Sequence, residues 1–179
     1  MRKIIFLMHV SLDGYVATLD GNIDWIIHNE EIAESSYSMH GRTDTAIYGR
    51  ITYQMMEAYW PTVLKDPDNA GDDLSHAKWV DQATKIVVST TLESTNWDNT
   101  IIIKSNVAEE IKKYKQTDGK DIWLLGSPTL AQTLMQLDLI DEYRLNINPV
   151  MLGNGVKLFS ESNAMKSLKL IESTTYKCG

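Results

Sequence analysis

Two stretches of this chain carry residue types suited to holding a phosphate: Gly49-Arg50-Ile51-Thr52 and Gly126-Ser127-Pro128-Thr129-Leu130. Each follows a short apolar run and opens a helical pattern, as a strand turning into a helix would. In the second stretch Gly126 permits close backbone approach and unusual torsions. Ser127 is a good N-cap, and Pro128 stands where the first helical position favours it. The unpaired amides of a first helical turn, with the helix dipole, favour an anion. Plain capping would use the same residues, and Ser127 could turn its hydroxyl on its own helix. In the first stretch, Arg50 at a helix head opposes the dipole unless an anion lies near. A phosphate gripped by the guanidinium fork would resolve this, and so would a surface ion pair. Thr52 could cap the helix or donate to the same phosphate.

A third strand end, Ser89-Thr90-Thr91, presents three hydroxyls. A dinucleotide lacking the 2′-phosphate is usually gripped by an acid at such a place. Hydroxyls together with Arg50 favour the phosphorylated cofactor, NADP. Asp13 follows the first apolar run and is the first candidate for orienting or protonating a substrate, although Asp13-Gly14 also reads as a simple turn. Asp24 and His28 are weaker candidates, and Trp25 could wall a pocket or merely pack.

Several classes are excluded. The full glycine-rich dinucleotide signature, the P-loop and the Gly-x-Ser-x-Gly elbow are all missing, which argues against an ordinary Rossmann domain, a nucleotide triphosphatase and an α/β-hydrolase. A hydrolase would also need a nucleophile–base pair that the sequence does not show. The four histidines, His9, His28, His40 and His76, have no metal-ligand spacing, so no metal is expected. The single cysteine, Cys178, rules out a disulfide within the chain and a paired-cysteine zinc site. A formal net charge of -7 argues against nucleic acid or an anionic membrane as the main partner. The basic, apolar start reads as a buried strand and not a signal peptide, and a cytoplasmic setting is expected.

The elements that must position these residues follow from periodicity. A length of 179 residues suits a single domain over residues 1–179, with no internal repeat. Residues 4–10 form a nearly continuous apolar run, as in a central strand covered on both faces. Residues 11–24 read as a long loop and 29–39 as a weakly amphipathic helix. A strand at 45–48 leads into a helix around 52–58 that Trp60-Pro61 should end. Residues 65–73 read as a surface loop and 75–82 as a short helix. Strands are expected at 85–89, 100–103 and 121–125, and helices at 107–114 and from Pro128 to about Leu137. Residues 142–148 alternate with period two, and strands at 156–159 and 168–177 follow. Alternating strands and helices imply parallel pairing in the first two thirds, and strands alone imply an antiparallel edge in the last.

Taken in order, these residues resemble the dihydrofolate-reductase-like superfamily. The nearer resemblance is to the reductase domain found at the C-terminus of bifunctional riboflavin-biosynthesis enzymes and in stand-alone bacterial proteins. It is carried by Ser11-Leu12-Asp13-Gly14, the loop ending at Asp24-Trp25, Gly49-Arg50-Ile51-Thr52-Tyr53, Leu124-Leu125-Gly126-Ser127, Asp141-Glu142-Tyr143, Asn148-Pro149-Val150, Leu152-Gly153-Asn154-Gly155 and Leu158-Phe159. The resemblance implies a three-layer α/β fold, with a mostly parallel central sheet and antiparallel C-terminal strands. It implies NADPH along the strand edge, with Gly49, Arg50 and Thr52 on the adenosine-side phosphates and Ser89 and Thr90 near the 2′-phosphate. Gly126, Ser127, Thr129 and Leu130 would cradle the pyrophosphate, and Ala17 would lie by the nicotinamide. It also implies a homodimer and hydride transfer to a small heterocyclic substrate, pteridine- or pyrimidine-like. A dinucleotide-binding dimer without turnover is the competing reading.

The chain departs from both patterns at the substrate. Folate-reducing members hold a carboxylate in the helix after the loop, where counting back from Gly49 gives Ala33 or a near neighbour. Glu30, Glu31 and Glu34 are close by in sequence and expected to face water. Riboflavin-pathway members usually carry a lysine where this chain has Leu7, and an aspartate where it has Met56. The deaminase half of the bifunctional enzymes cannot be present, because its cysteine pair is missing.

Overall fold

The computed structural model describes residues 1–71, 73–159 and 165–178. Its strands are β1 (Ile4–Ser11), β2 (Tyr15–Ala17), β3 (Thr43–Gly49), β4 (Thr84–Val88), β5 (Thr100–Ile103), β6 (Asp121–Leu125), β7 (Glu142–Asn148) and β8 (Val156–Lys157). Its helices are α1 (Glu30–Tyr37), α2 (Arg50–Lys65), α3 (Asp73–Gln82), α4 (Val107–Gln116) and α5 (Pro128–Gln136). Six strands make the central sheet in the order β5-β4-β3-β6-β1-β7, and β2 pairs with β8 in a small second sheet.

Every neighbouring pair in the central sheet is parallel. All six strands therefore end on one edge, at Ser11, Gly49, Val88, Ile103, Leu125 and Asn148. Strand alternation sends Ile4, Phe6, Met8 and Val10 to one face, where they pack with Ile111 of α4 and Leu130, Ala131 and Leu134 of α5. The opposite face buries Ile5 with Met39 and Trp123, and Ala46, Tyr48 and Val87 with Tyr53 of α2 and Val80 of α3. Each fully buried aliphatic or aromatic side chain stabilises such a core by about 1.5–3 kcal/mol.

The two edges of the sheet differ in charge. Where the strands begin, Arg2 pairs with Asp44, Lys115 with Asp141, and Arg42 with Asp121 and Glu142. Arg2 and Lys115 are buried, and each adds hydrogen bonds to backbone carbonyls. The edge where the strands end has helix N-termini in place of such a network.

The fold departs from expectation at four places. β7 joins β1 in parallel, with Phe6 opposite Tyr143 and Met8 opposite Leu145. The C-terminal antiparallel pairing is made instead by β8 with β2. The expected loop at 11–24 thus contains a strand, held by Leu158 N–H donating to the Gly14 carbonyl at 2.9 Å. Helix α2 runs through Pro61 to Lys65, because Trp60 packs on His76 at a ring-centroid distance of 4.5 Å and Val63 is buried. Residues 165–178 hold no strand. Lys166 pairs with Asp138 and Lys177 with Glu31, so the ends of this segment are tied to the α5 end and to α1. Among the described residues no helix is long and apolar enough to cross a membrane.

Candidate cofactor and substrate site

The two predicted junctions meet. β3 and β6 are neighbours, so α2 and α5 start side by side at the same sheet edge. The Ser127 hydroxyl accepts a hydrogen bond from Gly49 N–H at 2.7 Å and donates to Thr52 Oγ1 at 2.8 Å. It does not cap its own helix. Gly49 and Gly126 make this closeness possible. A Cβ on Gly49 would sit 3.0 Å from Ser127 Oγ, and one on Gly126 would sit 3.1 Å from Thr52 Cγ2. Gly126 and Ser127 both have positive φ, at 57° each, which folds the chain sharply before Pro128. The helices are thereby pinned head to head, with first-turn amides that have no intrahelical acceptor.

The charge at these two heads sets them apart. Helices α1, α3 and α4 each carry an acid in the first turn: Glu30 and Glu31, Asp73, and Glu109 and Glu110. Helices α2 and α5 carry none. Arg50, at the head of α2, is exposed and donates to Gln54 Oε1 at 3.0 Å, and among the described residues it makes no ion pair. The surface ion pair that would have explained its position is not among them. Two positive dipole ends and an uncompensated guanidinium thus meet in an otherwise acidic chain.

Of the other predicted cofactor residues, Ser89 and Thr90 follow β4, Thr129 and Leu130 lie in the first turn of α5, and Ala17 lies on β2. Val88 pairs with Gly49, so Ser89 and Thr90 emerge beside the α2 head. Ser89 is buried, and its oxygen accepts from Thr91 N–H at 3.2 Å and Leu92 N–H at 3.0 Å, while Thr90 is exposed. Thr129 is exposed at the first turn of α5, and Leu130 points into the core. Ala17 ends β2, and its carbonyl lies against Gly155.

Asp13 is placed differently from a proton donor. Its carboxylate accepts from Ser11 Oγ at 2.6 Å, Leu152 N–H at 3.1 Å and Gly153 N–H at 2.7 Å. The Ser11 hydroxyl first, and then these amides, hold its pKa below the ordinary carboxylate range. A carboxylate kept ionised by three donors clamps the 151–153 turn to β1 and has no proton to give near neutrality. Of the two roles read from sequence, orienting or protonating a substrate, these contacts oppose the second.

The side chains toward the carboxyl ends of β1, β6 and β7 on the opposite face are less fully covered. Leu7 and His9 of β1, Leu125 of β6, and Arg144 and Asn146 of β7 stay partly exposed, although β1 and β6 are central strands covered elsewhere. His9 lies opposite Asn146 in register, and its Nε2 is 3.3 Å from Asn146 Nδ2. The His9 and His28 rings are 5.9 Å apart. Burial, and then His28, lowers the His9 pKa to about 4, so its imidazole is neutral at pH 7. Buried Asn148 accepts from Ile27 N–H at 2.9 Å and fastens the loop that delivers Trp25 and His28. Among the described residues near Ala33, Glu30 and Glu34 are exposed, and Glu31 is bound to Lys177. Met56 accepts from Trp60 Nε1 at 3.0 Å and belongs to an aromatic layer. Sequence reasoning found no metal-ligand spacing for His9 and did not single out Asn146 and Asn148. Period two in residues 142–148 puts Arg144, Asn146 and Asn148 on one, wetter side, but the structure buries Asn148 and leaves Ile147 exposed.

The fold is dihydrofolate-reductase-like, here with a parallel sheet and two helix heads converging at its carboxyl edge. The chain belongs to the RibD C-terminal domain family, whose profile matches residues 2–179. This family is the reductase domain of riboflavin biosynthesis. Two proteins of Bacillus subtilis (strain 168) are similar to it. YyaP, described as uncharacterised, is 34% identical over 180 residues, covering 99% of this chain and 91% of YyaP. YwjB, also described as uncharacterised, is 31% identical over 170 residues, covering 94% of this chain and 89% of YwjB. Among solved structures, a protein of Shewanella sp. PV-4 described as a candidate for riboflavin biosynthesis superposes with a TM-score of 0.70 at 23% identity, covering 95% of this chain and 90% of that one. A deaminase/5-amino-6-(5-phosphoribosylamino)uracil reductase of Thermotoga maritima superposes with a TM-score of 0.61 at 14% identity, covering 93% of this chain and 51% of the bifunctional protein. This chain therefore spans about half of that enzyme's length.

Proposed function

We propose that the protein is an NADPH-dependent reductase that passes a hydride to a small heterocyclic substrate, pteridine- or pyrimidine-like. The observation that carries this reading is the pairing of the α2 and α5 heads, the two helices without a first-turn acid, beside an Arg50 without an ion pair. Such a place favours a polyanion. Gly49, Arg50 and Thr52 would face the adenosine-side phosphates, with Ser89 and Thr90 next to the 2′-phosphate. The backbone of Gly126, Ser127, Thr129 and Leu130 would hold the pyrophosphate, and Ala17 would lie by the nicotinamide. The cofactor, when bound, supplies the hydride. The chain's own part is to hold it at the carboxyl edge of the sheet, beside the end of β1, and keep water from the reacting carbon. Exposed apolar side chains on edge strand β7 (Ile147) and in the following segments (Met151, Leu168, Leu170) support the proposal that the working form is a homodimer.

The test is a titration with NADPH and NADH followed by nicotinamide fluorescence. NADPH is expected to bind more tightly, and failure of both to bind defeats the proposal. Arg50→Ala should weaken NADPH by about 1–3 kcal/mol and leave NADH nearly unchanged, the scale of a lost charge-assisted hydrogen bond. An unchanged preference would refute the 2′-phosphate role. A second reading, dinucleotide binding without turnover, is supported by the engaged Asp13 carboxylate and the apolar Leu7, Ala33 and Met56. Tight NADPH binding with no oxidation across a panel of pteridines and pyrimidines would select it.

A further inference from the structure

We infer that β5, one edge of the central sheet, is a self-association surface, and that its partner is the β5 strand of a second copy of this chain, paired antiparallel. The inference is independent of the reductase reading. It is also independent of the homodimer proposed from the β7 side, because β5 and β7 are opposite edges of the sheet.

Within the sheet β5 pairs only with β4. Lys85 N–H donates to the Asn99 carbonyl at 2.8 Å, and Ser89 N–H to the Ile103 carbonyl at 3.0 Å. Asn99, Ile101 and Ile103 therefore turn their backbone groups toward β4, and Thr100 and Ile102 turn theirs outward. Among the described residues no strand or side chain bonds these outward groups. Exposed strand edges are usually guarded by a charge, a proline or a bulge. Thr100-Ile101-Ile102-Ile103 has no charge and no proline, and its pairing with β4 runs without a register shift. Ile101 is 38% exposed. A groove of about 250 Å³ lies between this strand and α4, walled by Glu110 and Tyr114.

The strand is its own complement. An antiparallel partner must set outward-facing residues against outward-facing residues. With the two-fold axis at Ile101, Thr100 of each copy lies opposite Ile102 of the other, and both pairs exchange hydrogen bonds. An axis at Thr100 or at Ile102 keeps only one such pair within the strand. Charge supports the same direction. The chain enters β5 past Asp98 and leaves it through Lys104, and both are exposed. Antiparallel pairing brings the acidic entry of each strand beside the basic exit of the other, whereas parallel pairing would bring like charges together. Lys104 already holds Glu93 at 2.8 Å in an exposed ion pair, and an ammonium has further donors for Asp98.

The test is disulfide trapping in the full chain carrying Cys178→Ser, so that the introduced thiol is the only one. On the axis, residue 101 meets itself in a non-hydrogen-bonded pair at a Cα separation of about 4.5 Å, within the span of about 4.4–6.8 Å that a disulfide bridges. Ile101→Cys is expected to give a covalent dimer on mild oxidation. Ile102→Cys faces Thr100 and not itself, and should give at least tenfold less. Sedimentation at increasing concentration gives a readout that needs no thiol. Ile101→Lys should weaken association at least tenfold, with circular dichroism showing the fold intact. Asp98→Lys and Lys104→Asp should each weaken it, and the two together should restore it, an outcome that a mere loss of packing would not produce. Equal trapping at positions 101 and 102, association that Ile101→Lys leaves unchanged, or a wild-type chain that stays monomeric overturns the inference.

Discussion

Gly155→Ala is expected to destabilise the protein by about 4 kcal/mol and to weaken NADPH binding at the same time. Gly155 has a φ of 148°, outside the range of L side chains, and a Cβ there would lie 2.2 Å from the Ala17 carbonyl oxygen and 3.3 Å from its carbon. The obstacle is backbone, so no rotamer change relieves it. The torsional strain is about 1–3 kcal/mol, and the forced displacement adds about 1–3 kcal/mol more. The segment displaced would be β2, whose pairing with β8 depends on that approach. Ala17, the residue proposed to lie by the nicotinamide, would move with it. Gly153→Ala is the control. Its φ is 75°, but nothing lies within 4 Å of a Cβ there, so only the torsional part is expected. Urea denaturation of both variants beside NADPH titration reads the result. If Gly155→Ala costs less than about 1 kcal/mol, the contact is not what holds β2 in place.

This contact shows why the C-terminal third was the least legible part of the chain. Continuous apolar runs and strand–helix alternation pointed to a parallel sheet, and the sheet is parallel throughout. The absence of helices after α5 suggested antiparallel strands, yet β7 enters the sheet beside β1 in parallel. Period-two alternation in residues 142–148 describes an edge strand with one wetter side in either orientation, so it could not decide direction. The apolar alternation at 168–177 was read as a strand, but pattern cannot supply a partner. Leu168, Leu170 and Ile171 are exposed instead. Pro61 misled in the opposite sense, because its local penalty is outweighed by the packing of Trp60 and Val63.

The pairing of helix heads was more legible in the sequence than the surroundings of β1, for a physical reason. Helix heads announce themselves locally, through glycine, N-cap residues and a misplaced arginine. What sequence could not show was that Ser127 bridges Gly49 and Thr52 across 78 and 75 positions, leaving its own helix uncapped. Asp13 looked catalytic because it ends the first central strand, but its partners at Leu152 and Gly153 lie 139 and 140 residues away. His9 was set aside with the other histidines because their spacing fits no metal. Its unmatched nitrogen, its neighbour His28 and its opposite number Asn146 become visible only once the sheet is assembled.

Acid is expected to destabilise the fold from beneath this site, through His76. This ring is 7% exposed, and burial first, then His40, lowers its pKa to about 3. Its Nδ1 lies 3.0 Å from His40 Nε2. Its other neighbours are the rings of Tyr37, Trp60, Trp79 and Trp123. The carboxylate one turn earlier on α3, Asp73, accepts from Tyr37 and Tyr59. The native state therefore favours neutral His76, while the unfolded chain takes up a proton near the ordinary value of 6.5. Stability attributable to this group is complete above pH 6.5 and falls as the pH drops toward 3. Between pH 7 and pH 5 the loss is about 2 kcal/mol, from the proton the unfolded state alone binds. His76→Phe keeps an aromatic ring against Trp60 and removes the titration, so urea midpoints at pH 7, 6 and 5 should converge by about that amount relative to wild type. An unchanged pH slope would show that His76 is not the group responsible.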